Sequence, residues 1–338
     1  MSGQRRGATV LFSPPVPIAA TGTAVGPKEG QGPLGPRFDR VETDELLGQS
    51  SWERAEVQLF LGAARIALAK AGRQPGEVDL LLAGDLLNQI VVSNFAAAQL
   101  GIPFLGLYNA CASLAEGLAL GAMLLGGGMA ERALVVASSH HLTSERQYRF
   151  PVELGVQRTP TAQWTTTGAG ALLLEAAAGG PAVTAATLGT VQDLGIKDVN
   201  NMGAAMAPAA AATIARHLRE TGRTPAYYDL VVSGDLGRVG VPLAKELLSR
   251  EGFACGDNFT DCGILLYEPG QDVHAGGSGA ACSAVVLGAE LWRRLAQGEL
   301  RRILFVGTGA LHNVTTYQQG SSVPGVAHAV AIEGRIGA

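Results

Sequence analysis

The chain states one pattern twice. "GRQPGEVDLLLAGDL" occupies residues 72–86 and "GRTPAYYDLVVSGDL" residues 222–236, so that Gly72/Gly222, Arg73/Arg223, Pro75/Pro225, Asp79/Asp229, Gly84/Gly234 and Asp85/Asp235 match at one offset. Helical patterns precede both copies, "VQLFLGAARIALAKAG" and "AAAATIARHLRETG". The parallel continues downstream, where Cys111 opens "CASLAEGLALGAMLLGGGMAERALVVASSHH" and Cys282 opens "CSAVVLGAELWRRLAQGELRRILFVGTGALH". Each of these is a helix-length segment, a turn and a short β-branched run. A repeat of this length means a duplicated unit, and it limits the fold more than any single motif does.

The runs "DLLLAG", "ALVVAS", "DLVVSG" and "ILFVG" are apolar without alternation. That pattern predicts strands buried on both faces, as in parallel sheets covered by helices. Two copies of an alternating α/β unit predict two similar halves packed face to face, because each half alone would expose one helix layer. The boundary falls near "AAAGGPAV", residues 176–183, which gives an N-terminal half over 1–178 and a C-terminal half over 179–338. Ser50 with Glu53 forms a capping-box pattern, after which Trp52, Ala55, Leu59, Ala63 and Ile66 line one helix face. Two long connections stand out, a Gly/Pro loop over 23–38 and a polar segment over 138–164. Loops of the second length often cover a functional site.

Composition excludes several classes. Apolar residues make up 47% of the 338 and charged residues 16%, which suits a large packed core and argues against disorder. A net charge of -4 without a Lys/Arg run gives no case for nucleic acid or an anionic membrane surface. No apolar run reaches the roughly 18 residues that span a bilayer. The N-terminal "MSGQRRGATVLFSPPVP" has too short an apolar stretch for a signal peptide. Cys111, Cys255, Cys262 and Cys282 lack a framework spacing and read as free thiols. Cys255 and Cys262 resemble half of a metal site, but no matching ligand pair accompanies them. The residues call for no metal and no cofactor.

Two α/β halves, a Cys opening a buried helix and "TTTGAGALLL" (165–174) resemble the thiolase superfamily, with the ketoacyl-acyl-carrier-protein synthase III branch nearest in the order of its segments. The resemblance implies a five-layer α-β-α-β-α duplication, a homodimer, and a pocket with Cys111 at its inner end. Within that superfamily "GPKEGQGPLGPRFD", "AGDLLNQ", "SSHHLTSERQYRFPVELG", "MGAAMAPAAAATI", "NFTDCGILLYEP" and "HAGGSGAACSAVV" are similar to the stage V sporulation protein AD family of endospore formers. That resemblance implies a protein of the spore, peripheral to the spore inner membrane. It would bind dipicolinic acid (pyridine-2,6-dicarboxylate) and support its uptake together with the other SpoVA membrane proteins.

Condensation chemistry needs a thiolate and two donors aimed at the developing oxyanion. A helix start at Cys111 favours a thiolate. Carried over by position, the synthase His falls at Gly234 and Asp235, and its Asn falls at Gly277 in "GGSGAAC". Asp repels the charge that must develop, and Gly offers no side chain. Losing one such donor costs about 10²–10³ in rate, so losing both makes Cys111 a vestigial nucleophile. One alternative stays open: "HAGGSG" (274–279) is one residue short of a thiolase His-Pro-x-Gly-x-Ser-Gly run, and His274 would then serve an acyltransferase or ketoacyl-synthase-like enzyme. His312 and His328 carry no motif and read as structural.

A flat aromatic dianion needs apolar walls and donors for two carboxylates. The sequence supplies Gly276, Gly277 and Ser278 with their bare amides and hydroxyl, and Ser283 beside them. The long polar segment adds His140, Arg146, Gln147, Arg149 and Arg158, and one or two of His140, Arg146 and Arg149 are expected to reach the pocket mouth; surface pairing with Glu145 and Glu153 is the competing expectation. Asp85 and Asn88 lie at a strand's carboxyl end, where α/β sheets place ligand contacts. Asp85 could equally hold a turn. A third possibility is an interaction subunit whose pocket has no ligand and whose role is docking to membrane partners.

Overall fold

The computed structural model describes residues 4–148 and 158–334. Its first long strand, β1 (Thr9–Val25), is followed by α1 (Trp52–Lys70), β2 (Leu80–Gly84), α2 (Val91–Leu100), β3 (Phe104–Gly106), α3 (Ser113–Gly126), β4 (Arg132–Ser139), α4 (His141–Tyr148) and β5 (Gly168–Glu175). The second half repeats the order with β6 (Ala182–Thr187), α5 (Met202–Thr221), β7 (Leu230–Ser233), α6 (Gly237–Arg250), β8 (Phe259–Asp261), α7 (Ala280–Val286), β9 (Arg302–Ala310) and β10 (Gly325–Glu333).

In the first half the strands run β3-β2-β4-β5-β1, and in the second β8-β7-β9-β10-β6. The four apolar runs pair parallel as expected, β2 with β4 and β7 with β9, while other strands of the same sheets make them mixed. β3, β2 and β4 are parallel, and β5 pairs antiparallel with both β4 and β1; β8, β7 and β9 are parallel, and β10 pairs antiparallel with both β9 and β6. Burial on both faces produces the same non-alternating sequence in either direction, so the run of apolar residues cannot report strand polarity. β1 joins the two sheets: its stretch up to Pro17 pairs with β6 and its stretch from Ile18 pairs with β5.

Alternation along single strands builds the layers. On β5, Leu172 and Leu174 pack with Leu114 and Leu118 of α3 and with Val285 and Val286 of α7, while Leu173 faces α1 and α2. On β9, Ile303 and Phe305 face the same middle layer, while Leu304 and Val306 face α5 and α6. The result is the five-layer α-β-α-β-α arrangement. Gly170 allows α7 its close seat on β5, since a Cβ there would meet the Ala284 backbone at 2.5 Å.

The repeated residues do repeated work. Gly72 and Gly222 both take left-handed φ (+66° and +67°) just past a helix end. Asp79 Oδ2 accepts from the amides of Glu131 and Arg132, and Asp229 Oδ2 accepts from those of Arg301 and Arg302. The first helix starts one residue later than its pattern suggests: Ser51, not Ser50, is the N-cap and accepts from the Arg54 amide, leaving Glu53 free of the capping box. Cys111, Cys255, Cys262 and Cys282 are free thiols. Among the described residues no helix is long and apolar enough to cross a membrane.

Candidate functional site

Strands β2, β7 and β9 end on the same side of their sheets, and the segments that follow them surround a cavity of about 660 Å³. Cys111 lies at its inner end, on a short turn (Ala110–Ala112) that runs into α3. Ala110 holds a left-handed φ of 48°, a sharp bend that costs a non-glycine residue strain of about 1 kcal/mol or more and presents the next side chain to the cavity. Gly309 of β9 makes room for the turn, because a Cβ there would strike the Asn109 carbonyl at 2.5 Å.

The neighbour of the sulfur is Asp235, which follows β7 and is 1% exposed. Its Oδ1 accepts from Thr308 Oγ1 at 2.6 Å; its Oδ2 accepts from Ser278 Oγ at 2.8 Å and from the Gly279 amide at 3.3 Å. The Cys111 thiol lies close enough to feel this carboxylate. Burial pushes the Cys111 thiol well above its ordinary range, and the Asp235 charge pushes it further. Ser278 and the Gly279 amide pull the other way and are outweighed. Burial likewise raises the Asp235 carboxyl, against the pull of Thr308, Cys111 and Ser278. The helix start does not make a thiolate here, because an acid sits where a base or cation would be needed.

Asp85 lines the cavity and also holds a turn. Its Oδ1 accepts from the Leu87 amide at 2.9 Å, and its Oδ2 accepts from the Ser93 amide and hydroxyl at 2.8 and 2.7 Å. Asn88 stands exposed on the rim, its amide donating to Gln147 Oε1 at 3.0 Å. Gln89 and Ile90 beside it both take positive φ, 58° and 45°. Ser278 completes the set of expected residues that reach the cavity.

The others do not reach it. His140 is fully buried, its Nε2 within 2.8 Å of the Glu45 carbonyl oxygen while its Nδ1 accepts from the Leu142 amide. Arg146 pairs with Glu53 at the start of α1 and lies 5.3 Å over the Trp52 ring, so the surface-pairing expectation holds for it, with a different acid from those foreseen. Arg158 pairs with Asp272 at 3.0 Å and lies 4.8 Å over Trp164. Arg149 falls outside the described residues. Gly276 and Gly277 serve a short pairing with Trp164 and Thr165 instead of the cavity: the Gly276 carbonyl accepts from the Trp164 amide, and a Cβ on Gly277 would hit the Tyr267 ring at 2.8 Å. The side chain of that loop that faces the sulfur is therefore Ser278, one place after the position assigned by motif. Ser283 is buried and does not line the cavity. His274 points elsewhere, its Nδ1 2.7 Å from the Thr159 carbonyl and its Nε2 3.0 Å from Asp272.

Several lining residues had no motif behind them. Tyr108, Tyr148 and His312 supply rings, with Tyr148 and His312 5.5 Å apart between centroids; Met202, Met206 and Leu311 supply apolar wall. His312 and Asn313 follow β9, so the rule that ligands meet α/β sheets at strand carboxyl ends would have found them. The ionisable lining includes Asp85, Glu145 and Asp235, and among the described residues no Lys or Arg lines the cavity.

The model of stage V sporulation protein AD matches residues 6–333. The chain belongs to that family. It is 46% identical over 325 residues to stage V sporulation protein AD of Bacillus subtilis strain 168, covering 96% of each protein. Among solved structures, a cerulenin-bound OleA of Xanthomonas campestris overlays with a TM-score of 0.60 at 17% identity, covering 98% of this chain and 99% of that one. The 3-oxoacyl-[acyl-carrier-protein] synthase III of Aquifex aeolicus overlays at 0.57 with 14% identity, covering 94% and 99%. These likenesses establish a thiolase-like fold and a sporulation protein of this family, with enzymes as its structural neighbours.

Proposed function

We propose that the chain is a non-catalytic binder of dipicolinic acid that supports its uptake into the spore with the other SpoVA proteins. The observation that carries this reading is the Asp235–Cys111 pair: an acid occupies the place of the donor that condensation would need, and burial together with that acid disfavours the thiolate. A cavity of about 660 Å³ is ample for one pyridine ring with two carboxylates. Tyr108, Tyr148 and His312 offer ring faces, and Asn88, Gln147, Asn313 and Thr315 offer neutral hydrogen-bond donors.

Calorimetry with dipicolinate tests the reading directly. Saturable heat is expected, and no heat at millimolar ligand would defeat it. Incubation with acyl-CoA followed by mass spectrometry tests the enzymatic alternative. No adduct is expected, and a thioester abolished by Cys111→Ser would overturn the non-catalytic assignment.

Two interactions belong to the same proposal. Self-association through the open edge of β3 is supported by the exposure of Phe95, Leu105 and Tyr108 beside it, and sedimentation of Leu105→Lys against the parent checks it. Peripheral docking to SpoVA partners at the spore inner membrane is supported by family membership, and co-purification from sporulating cells checks it.

A further inference from the structure

The cavity described above presents a charge problem to any diacid. Asp85 and Asp235 both line it, and no Lys or Arg stands among its described lining residues. A dianion placed beside ionised Asp85 and Asp235 would meet like charge in a partly dehydrated space, where screening is weak. The groups around Asp235 do not relieve this. Cys111 faces it from the turn before α3, Asp261 and Cys262 from β8 and the segment after it, Cys282 from α7, and Thr308 from β9. All of these are neutral or acidic. On the cavity side stand Asp85, Glu145, Tyr148 and His312.

We propose that the cavity binds its diacid together with one proton from solvent, which is taken up on Asp235 and relayed through Ser278. The inference rests on the ligand-binding reading above and specifies the form of ligand that the site accepts. The geometry provides the route. The Ser278 hydroxyl donates to Asp235 Oδ2 at 2.8 Å. A proton placed on that oxygen reverses the bond: Asp235 O–H donates, Ser278 Oγ accepts, and the Ser278 hydrogen is released toward the cavity. It can then donate to a ligand carboxylate. Thr308 and the Gly279 amide remain on the acid and hold it in place. No covalent bond other than O–H is made or broken, and the net change is one proton gained from solvent. Burial already favours the neutral form of Asp235, so the step runs along the direction the fold sets.

Calorimetry with pyridine-2,6-dicarboxylate, in metal-free buffers of different ionisation enthalpy at one pH, counts the protons. About one proton taken up per ligand is expected, with affinity falling by up to about tenfold for each unit of pH rise above neutrality. Asp235→Asn should bind more tightly than the parent at pH 8 and take up no proton. Should that variant fail to fold, as judged by its melting transition, the proton count of the parent still decides the matter. Saturable binding with a count of zero, or binding that appears only when calcium is added, would overturn the proposal and leave the ligand assignment standing. Absence of heat under all conditions would remove the ligand assignment itself.

Discussion

Asp85 and Asp235 occupy the same place in the two halves and do different things. After β2, Asp85 folds back on its own segment and accepts from Leu87 and Ser93. After β7 that task has passed to Asp261 at the end of the neighbouring strand, which accepts from the amides of Leu236 and Gly237 at 2.7 and 3.1 Å and from Ser233 Oγ at 2.6 Å. With its turn held by another residue, Asp235 is free to face the sulfur. The cysteines diverge in the same manner. Cys111 opens onto the cavity, while Cys282 is wholly buried, its Sγ 3.7 Å from the Gly234 carbonyl. Duplication preserved the residues and reassigned their tasks, and the cavity arises where the two copies differ.

The sharpest way to break this comparison is to remove the acids one at a time. Asp261→Ala strands two buried amides and a hydroxyl and should cost about 3–5 kcal/mol, since each unsatisfied buried group costs about 1–3 kcal/mol. Asp85→Ala strands a similar set and should cost about 3 kcal/mol. Asp235→Ala should cost less, about 1–2 kcal/mol, because Ser278 and Cys111 can turn toward the cavity. Urea unfolding midpoints measure all three. An Asp235 variant as unstable as the Asp261 variant would show that both acids hold the turn.

Next in size is the dependence of stability on pH. Burial raises several carboxyls, Asp85 and Asp235 among them, and takes Glu29 and Asp261 to about 7 and Glu56 to about 8, with the Asp85 charge adding to the last. Each binds its proton more tightly folded than unfolded, so its stabilisation is present at low pH and is lost as pH rises through the folded value. His217 and His328 work in the opposite sense: burial lowers them to about 3 and about 4, so they penalise the fold only below the ordinary histidine range. The two effects offset each other in mild acid. Between pH 6.5 and 8 the carboxyls outweigh the histidines, and about 2–3 kcal/mol should be lost. A melting series should show the temperature falling across that window, and Glu56→Gln should remove about half of the fall.

What the sequence revealed and what it hid divide along the same line. The repeat, the layers, the place of Cys111 and the acid at position 235 were all legible, because they depend on local pattern and on order along the chain. The partner of Arg146 was not, because Glu53 lies 93 residues upstream and meets it only in the folded chain. Of the adjacent Gly276, Gly277 and Ser278 only Ser278 lines the cavity, and a motif cannot report which of neighbouring residues does so. His312 was passed over because it carries no motif, although the end of β9 marks its place. The direction of β5 and β10 was hidden because burial on both faces erases the alternation that would have distinguished them.

Where the halves agree, substitutions should agree too. Asp79→Ala and Asp229→Ala each remove an acceptor from two amides at a strand entrance. These amides can reach water, so each change should cost about 1–2 kcal/mol, and the two should differ by no more than about 0.5 kcal/mol. A large inequality would mean that the two entrances are not equivalent and that the symmetry of the sheets is only in their outline.

The smallest expected effect is a chemical one at the sulfurs. Alkylation by iodoacetamide at pH 7.5 should be slow at Cys111, because burial and the Asp235 charge both disfavour the thiolate that reacts. Asp235→Asn removes the charge and leaves the burial, so the rate at Cys111 should rise about three- to tenfold, the size of effect expected from one lost neighbouring charge. Cys282 should stay unmodified in both proteins until they unfold, since nothing opens onto it. Equal rates at Cys111 with and without the acid would mean that desolvation alone silences the sulfur. Asp235 would then have no part in separating the reactive-looking half from its buried twin.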